Sequence, residues 1–165
     1  MELCTGGELF DEITKSDIIK ENDAAKYMIK LIRALYHCHS QNIIHRDIKP
    51  ENIMIGDLGE VKFIDFGFAL VQNKKKAEMD IAGTPYYIAP EVLSGNYGKE
   101  CDVWSLGVCL YQMLTGEMPF DGNSQGEVFG KIKKGKFYIP KIMSEDAKDL
   151  VQKMITVDPK ARISA

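Results

Sequence analysis

Two short stretches combine residue types that handle protons and phosphate. The first is His45-Arg46-Asp47-Ile48-Lys49-Pro50-Glu51-Asn52. The second, Asp65-Phe66-Gly67, follows Asn52 by thirteen residues. The carboxylate of Asp47 can accept a proton from an attacking hydroxyl. The ammonium of Lys49 is a mobile point charge suited to a phosphoryl group. Asn52 and Asp65 offer the hard oxygen ligands that Mg²⁺ prefers. Taken singly, each is an ordinary polar surface residue; what points to a magnesium and phosphate site is their joint spacing. Residues 52–55 and 61–64 are β-rich runs joined by Gly56-Asp57-Leu58-Gly59, the pattern of a hairpin, which would fold Asp65 back toward Asp47 and Asn52.

The remaining elements must hold that hairpin. A short helix is expected over residues 8–15, after the Gly6-Gly7 turn, and a long one over 22–40 with Asn22 as its cap. Ala25, Met28, Ile29, Ile32, Leu35 and Tyr36 supply its apolar stripe. Residues 65–91 lack periodicity and read as a long functional loop. Helical patterns return over 100–115, stopped by Gly116 and Pro119, and over 124–134 and 144–156. The run 103–114 is the most apolar, too short to span a bilayer, and reads as a buried core helix. The fold class is therefore mainly α with a small β-hairpin.

Composition narrows the alternatives. With 165 residues, 45% apolar and 27% charged, the chain is an ordinary globular mixture of one domain or part of one. A net charge of −3 argues against nucleic-acid or membrane-surface binding. Lys74-Lys75-Lys76 and Lys133-Lys134 read as solvated surface. Cys4, Cys38, Cys101 and Cys109 show no C-x-x-C or zinc spacing, which fits reduced thiols in a cytoplasmic or nuclear compartment. His37-Cys38-His39 reads as a helix end rather than a metal cluster. Glu2 and Glu8 stand where the apolar core of a secretory leader would lie, so none is expected. Gly122, Gly126 and Gly130-Lys131 do not make a Walker loop, because Ile132 stands where Ser or Thr is required.

The pattern H-R-D-x-K-x-x-N followed by D-F-G resembles the eukaryotic protein-kinase family. The resemblance implies a truncated large, C-terminal kinase lobe using ATP and Mg²⁺, with Asp47 as catalytic base and Asn52 and Asp65 as metal ligands. It implies that Lys49 steadies the transferring phosphoryl group, as in serine/threonine kinases, and that Thr84, in Gly83-Thr84-Pro85-Tyr86-Tyr87-Ile88-Ala89-Pro90-Glu91, bonds near Asp47 and Lys49. Structural roles are implied for His45, Phe66 and Gly67, for Glu91 paired with Arg162, and for Asp102, which would brace the catalytic-loop backbone. Met1, Glu2, Cys4, Glu8 and Met54 match ATP-binding positions. Glu8, Glu51, Pro85 and Tyr86 match substrate-binding positions, with Glu8 and Glu51 facing an arginine upstream of the target Ser or Thr. Arg46 and Asp80 match regulatory positions, the carboxylate of Asp80 standing where relatives carry a phosphate.

The finer resemblance, through Gly6-Gly7-Glu8-Leu9-Phe10-Asp11 and Tyr86-Tyr87-Ile88-Ala89-Pro90-Glu91-Val92-Leu93, is to calcium/calmodulin-type and especially calcium-dependent protein kinases. It implies protein substrates and, in a longer protein, a calcium-sensor domain or calmodulin as partner. Residues 1–165 run from the family's hinge to near the end of its large lobe. No G-x-G-x-x-G loop, V-A-I-K lysine or EF-hand loop stands among them. Residues 1–165 alone are therefore expected to be inactive, and the alternative function is a non-catalytic lobe that binds partners as a scaffold.

Overall fold

The computed structural model describes residues 4, 6–56, 59–72 and 84–165. At its centre lies helix α3 (Glu100–Thr115), with nearly every residue buried, including Trp104, Leu106 and Met113. A helix apolar all round must be covered on every side, and α3 packs against α2 (Glu21–Ser40) and α5 (Glu145–Met154). Gly107 permits the α5 approach, since a Cβ there would lie 2.7 Å from Met154 Cβ. Trp104 stacks on Phe120 with ring centroids 5.6 Å apart. The helix stops at Gly116, whose φ of 72° is a left-handed cap that glycine adopts without strain. Helix α4 (Gln125–Lys134) and α5 are each capped by a serine hydroxyl: Ser124 accepts from Glu127 N and Ser144 from Ala147 N.

The long helix differs from the sequence expectation in two ways. It starts at Glu21, with Lys20 rather than Asn22 at the cap position and no side-chain cap. Glu21 instead reaches across to α5, where its carboxylate accepts from the amide N (3.1 Å) and the hydroxyl of Ser144. These bonds to Ser144 hold the Glu21 carboxyl below its usual range. Second, the buried stripe is Ala24, Met28, Leu31, Leu35 and His39. Ala25 is exposed, as are Ile29 at 54% and Tyr36 at 62%. Apolar residues occupy more than one face of this helix, and the rest of the core covers only one.

Helix α1 (Leu9–Ser16) precedes α2 and anchors on Leu9 and Ile13. The hairpin pairs β2 (Ile53–Ile55) with β3 (Val61–Phe63), antiparallel, with Ile53 opposite Phe63 and Ile55 opposite Val61. Gly59 donates to the Gly56 carbonyl at 3.0 Å across the turn. The stretch expected as a long loop holds regular structure among its described residues. It contains a 3-10 turn at Phe66–Phe68 and strand β4 (Leu70–Val71), which pairs antiparallel with β1 (Ile43–Ile44). A further 3-10 turn covers Pro85–Tyr87. The ladder to β1 gives the backbone groups of Leu70 and Val71 their partners.

Candidate active site

Strand β1 delivers His45, Arg46 and Asp47 to the surface of α3. Asp102, in the first turn of α3, is 1% exposed. Its Oδ2 accepts from His45 N (2.9 Å) and from His39 Nε2 (2.9 Å), and its Oδ1 accepts from Arg46 N (2.9 Å). Three N–H donors compensate the burial of this carboxylate. They also hold Arg46 at φ 70°, a left-handed conformation uncommon for a side-chain-bearing residue, so the chain turns sharply just before Asp47.

Asp47 is buried and fully engaged. Its Oδ1 accepts from the Thr84 hydroxyl at 3.1 Å; its Oδ2 accepts from Asn52 Nδ2 at 2.9 Å and meets Lys49 Nζ at 3.1 Å. Lys49 Nζ also donates to Thr84 Oγ1 at 2.9 Å, closing a triangle. A second bond runs from Asn52 Nδ2 to the Asp47 carbonyl at 2.8 Å. With its amide hydrogens occupied there, Asn52 presents its amide oxygen as the group suited to a cation.

The hairpin returns the chain to this point. Ile64 N donates to the Asn52 carbonyl at 2.9 Å, so Asp65 emerges beside Asn52. Asp65 is exposed, at φ 59°, and its Oδ1 accepts from Gly67 N at 3.1 Å. A Cβ on Gly67 would lie 2.9 Å from that oxygen, which explains the glycine. His45 sits behind, its ring 4.7 Å from that of Phe66 and its Nε2 3.1 Å from the Ile64 carbonyl. Among the described residues no three His, Cys, Asp or Glu side chains form a cation cage. Mg²⁺ needs none: it is usually held by one or two protein oxygens plus phosphate and water. The oxygens of Asn52 and Asp65 fit that habit.

Other sequence-derived positions are more dispersed. Glu8 caps α1 by its backbone and bridges to Met54 on β2. Helix α1 packs on the 3-10 turn Pro50–Asn52, which carries Glu51. Glu51 Oε2 is buried without a hydrogen-bond partner. Cys4 is half-buried. Pro85 is half-buried and Tyr86 exposed, on the turn after Thr84. Arg162 is buried and forks onto Glu91 through Nη1–Oε1 (2.5 Å) and Nη2–Oε2 (2.9 Å), with its guanidinium 5.1 Å from the Trp104 ring centre. Met1, Glu2 and Asp80 lie outside the described residues. Sequence reasoning missed His39, although its place on the buried stripe, four residues after Leu35, marks it as a polar group needing a partner. It also missed Tyr97, whose hydroxyl accepts from Arg46 Nη1 at 2.8 Å, and nothing local signals that contact.

Comparison with known proteins shows the family of the chain. The protein kinase domain model matches residues 1–165. Calcium-dependent protein kinase 5 of Plasmodium falciparum (isolate 3D7) is 45% identical over 170 residues, covering 99% of this chain and 30% of the relative. Calcium-dependent protein kinase 29 of Arabidopsis thaliana is 44% identical over 172 residues, covering 100% of this chain and 32% of the relative. A probable serine/threonine-protein kinase of Dictyostelium discoideum is 42% identical over 166 residues, covering 99% and 20%. The chain thus spans a third or less of the length of these curated relatives. It belongs to the protein kinase family and is similar to that family's calcium-dependent members.

Proposed function

We propose that the protein carrying this chain is a serine/threonine kinase, with Asp47 as the base that takes the proton from a substrate hydroxyl. The observation that supports this best is the closed network of Asp47, Lys49, Thr84 and Asn52. Phosphoryl transfer demands positioning and charge stabilisation more than covalent chemistry. Asp47 is held by three side chains, so its orientation is set before substrate arrives. Lys49 places a positive charge beside it, where negative charge develops. Asn52 and Asp65 would hold Mg²⁺, with Met54 and Glu8 at the edge toward the nucleotide. ATP bound with Mg²⁺ supplies the phosphoryl group and neutralises its charge.

Glu51 supports a preference for a basic residue upstream of the target. Glu51 stands on the Pro50–Asn52 turn that helix α1 packs on, and its carboxylate together with that of Glu8, the residue before α1, would take a substrate guanidinium in charge-assisted, forked hydrogen bonds. Calcium regulation through a sensor domain or calmodulin, activation through Asp80 in place of a phosphate, and a cytoplasmic or nuclear location complete the proposal. It is tested with the full-length protein. It should phosphorylate Ser or Thr in peptides with arginine three residues upstream, and Asp47→Asn should lower kcat at least a thousandfold, the upper range for a lost general base. Near-normal kcat in Asp47→Asn would overturn the assignment of the base. A peptide profile with no basic preference would discard the role of Glu51.

A further inference from the structure

Arg46 is gripped at its backbone by the start of α3, and at its side chain by the segment before α3 and by the chain just after Gly67. Its amide N donates to Asp102 Oδ1 at 2.9 Å, at the start of α3. Its Nη1 donates to the hydroxyl of Tyr97 at 2.8 Å, on the turn that leads into α3. Its Nε donates to the Phe68 carbonyl at 2.5 Å, one residue beyond Asp65-Phe66-Gly67. Tyr97 is itself buried, at 7% exposure, so its ring is held by packing. Among the described residues its side-chain acceptors are a phenol and a peptide carbonyl, both neutral. An arginine side chain left free carries about 2 kcal/mol of rotamer entropy; here it is already ordered by groups of the described fold.

We infer that Tyr97 is a positioning residue for Asp47: with the Phe68 carbonyl it orients Arg46, fixing the left-handed residue that aims Asp47 and tying the base to the loop that carries Asp65. This rests on the kinase reading proposed above. It goes beyond it in assigning the orientation of Arg46 to a neutral clamp as well as to an anion such as Asp80. Removing the Tyr97 hydroxyl loosens the aim of Asp47 while leaving the substrate-binding groups in place. The effect therefore belongs in kcat and not in KM.

The test uses the full-length protein and Tyr97→Phe, which keeps the buried ring. The expected result is kcat lower by about tenfold, equivalent to one charge-assisted hydrogen bond, with KM for ATP and for peptide changed less than about twofold. The melting temperature should stay within a few degrees of wild type. In an Arg46→Met background the same Tyr97→Phe change should alter kcat much less than it does in the wild-type background, because the Arg46–Tyr97 hydrogen bond is already absent. Equal fold losses in both backgrounds, or a loss confined to KM, would overturn the inference. So would an active protein whose kcat is indifferent to Tyr97→Phe. A wild-type protein with no transfer activity, or one insensitive to Asp47→Asn, would overturn the functional reading itself, and the inference with it.

Discussion

At the scale of single residues, Thr84 has the most economical arrangement in the site. One hydroxyl accepts from Lys49 and donates to Asp47, so it orients both charges. A hydrogen bond to a charged group contributes about 1.5–3 kcal/mol. Lys49 also meets Asp47 directly at 3.1 Å, so part of the geometry survives loss of the hydroxyl. Thr84→Val, which keeps the shape, is therefore expected to lower kcat of the full-length protein about tenfold, near the lower end of that range. Thr84→Ser, which restores the hydroxyl, should stay within about threefold. Steady-state kinetics on the two variants decides it: a loss in Thr84→Ser as large as or larger than that in Thr84→Val would show that the hydroxyl is not the group that matters most. The buried thiols behave differently from the polar site. Burial, with the nearby charge of Asp102 at Cys101 and of Glu51 at Cys109, pushes both thiols well above their ordinary pKa, so neither is poised as a nucleophile.

At the scale of elements, the glycines separate into those that packing requires and those it does not. Gly107 lets α3 meet α5, and a methyl there would collide with Met154 Cβ at 2.7 Å and Ile155 Cγ1 at 3.1 Å. Gly107→Ala should destabilise by about 1–3 kcal/mol through overpacking. Gly126 and Gly130 lie in α4, and an added Cβ at either meets nothing within 4 Å. There the gain in helix propensity is unopposed, so alanine at either position should stabilise by about 0.5–1 kcal/mol. Thermal melts of Gly107→Ala test the α3–α5 contact, and those of the two α4 variants test helix propensity where no contact opposes it. A melting temperature unchanged by Gly107→Ala would show that the two helices can separate at little cost. The start of α2 shows the same interplay: its first carboxylate serves α5 through Ser144 instead of capping its own helix.

At the scale of the whole molecule, Arg162 holds the chain beyond α5 to the segment before α3. It forks onto Glu91, donates to the carbonyls of Thr156 (2.8 Å) and Glu100 (2.7 Å), and lies over Trp104. Removing one partner of a buried pair strands the other charge, at about 3–5 kcal/mol. That is a large share of the roughly 5–15 kcal/mol of a typical domain. Arg162→Met should lower the melting temperature of the full-length protein's kinase domain by about 10 °C or more. The double variant Glu91→Leu with Arg162→Met should recover much of the loss, because no unpaired charge is left. If the double variant were as unstable as the single one, the forked geometry and its carbonyl bonds would matter more than charge pairing.

The amino-acid sequence by itself determined the family, the hairpin, most helix ends and the identity of the residues that meet at Asp47. Apart from Thr84, which lies 37 residues from Asp47 and is named through the family resemblance, those signals are local. The pattern from His45 to Asn52 and the Asp65-Phe66-Gly67 triplet lie within 23 residues of chain, and a tight hairpin leaves few ways to arrange them. Helix ends follow from single residues such as Gly116, Ser124 and Ser144, whose preferences act on their own backbone. Only the tertiary structure decided which face of α2 is buried, that His39 donates to Asp102, that β4 pairs with β1, and that Tyr97 receives Arg46. In each of these the partners are separated by 26 residues or more, or one face is chosen among several apolar ones. Pairing at such distance depends on how the elements pack together, because no local preference of one partner specifies the other.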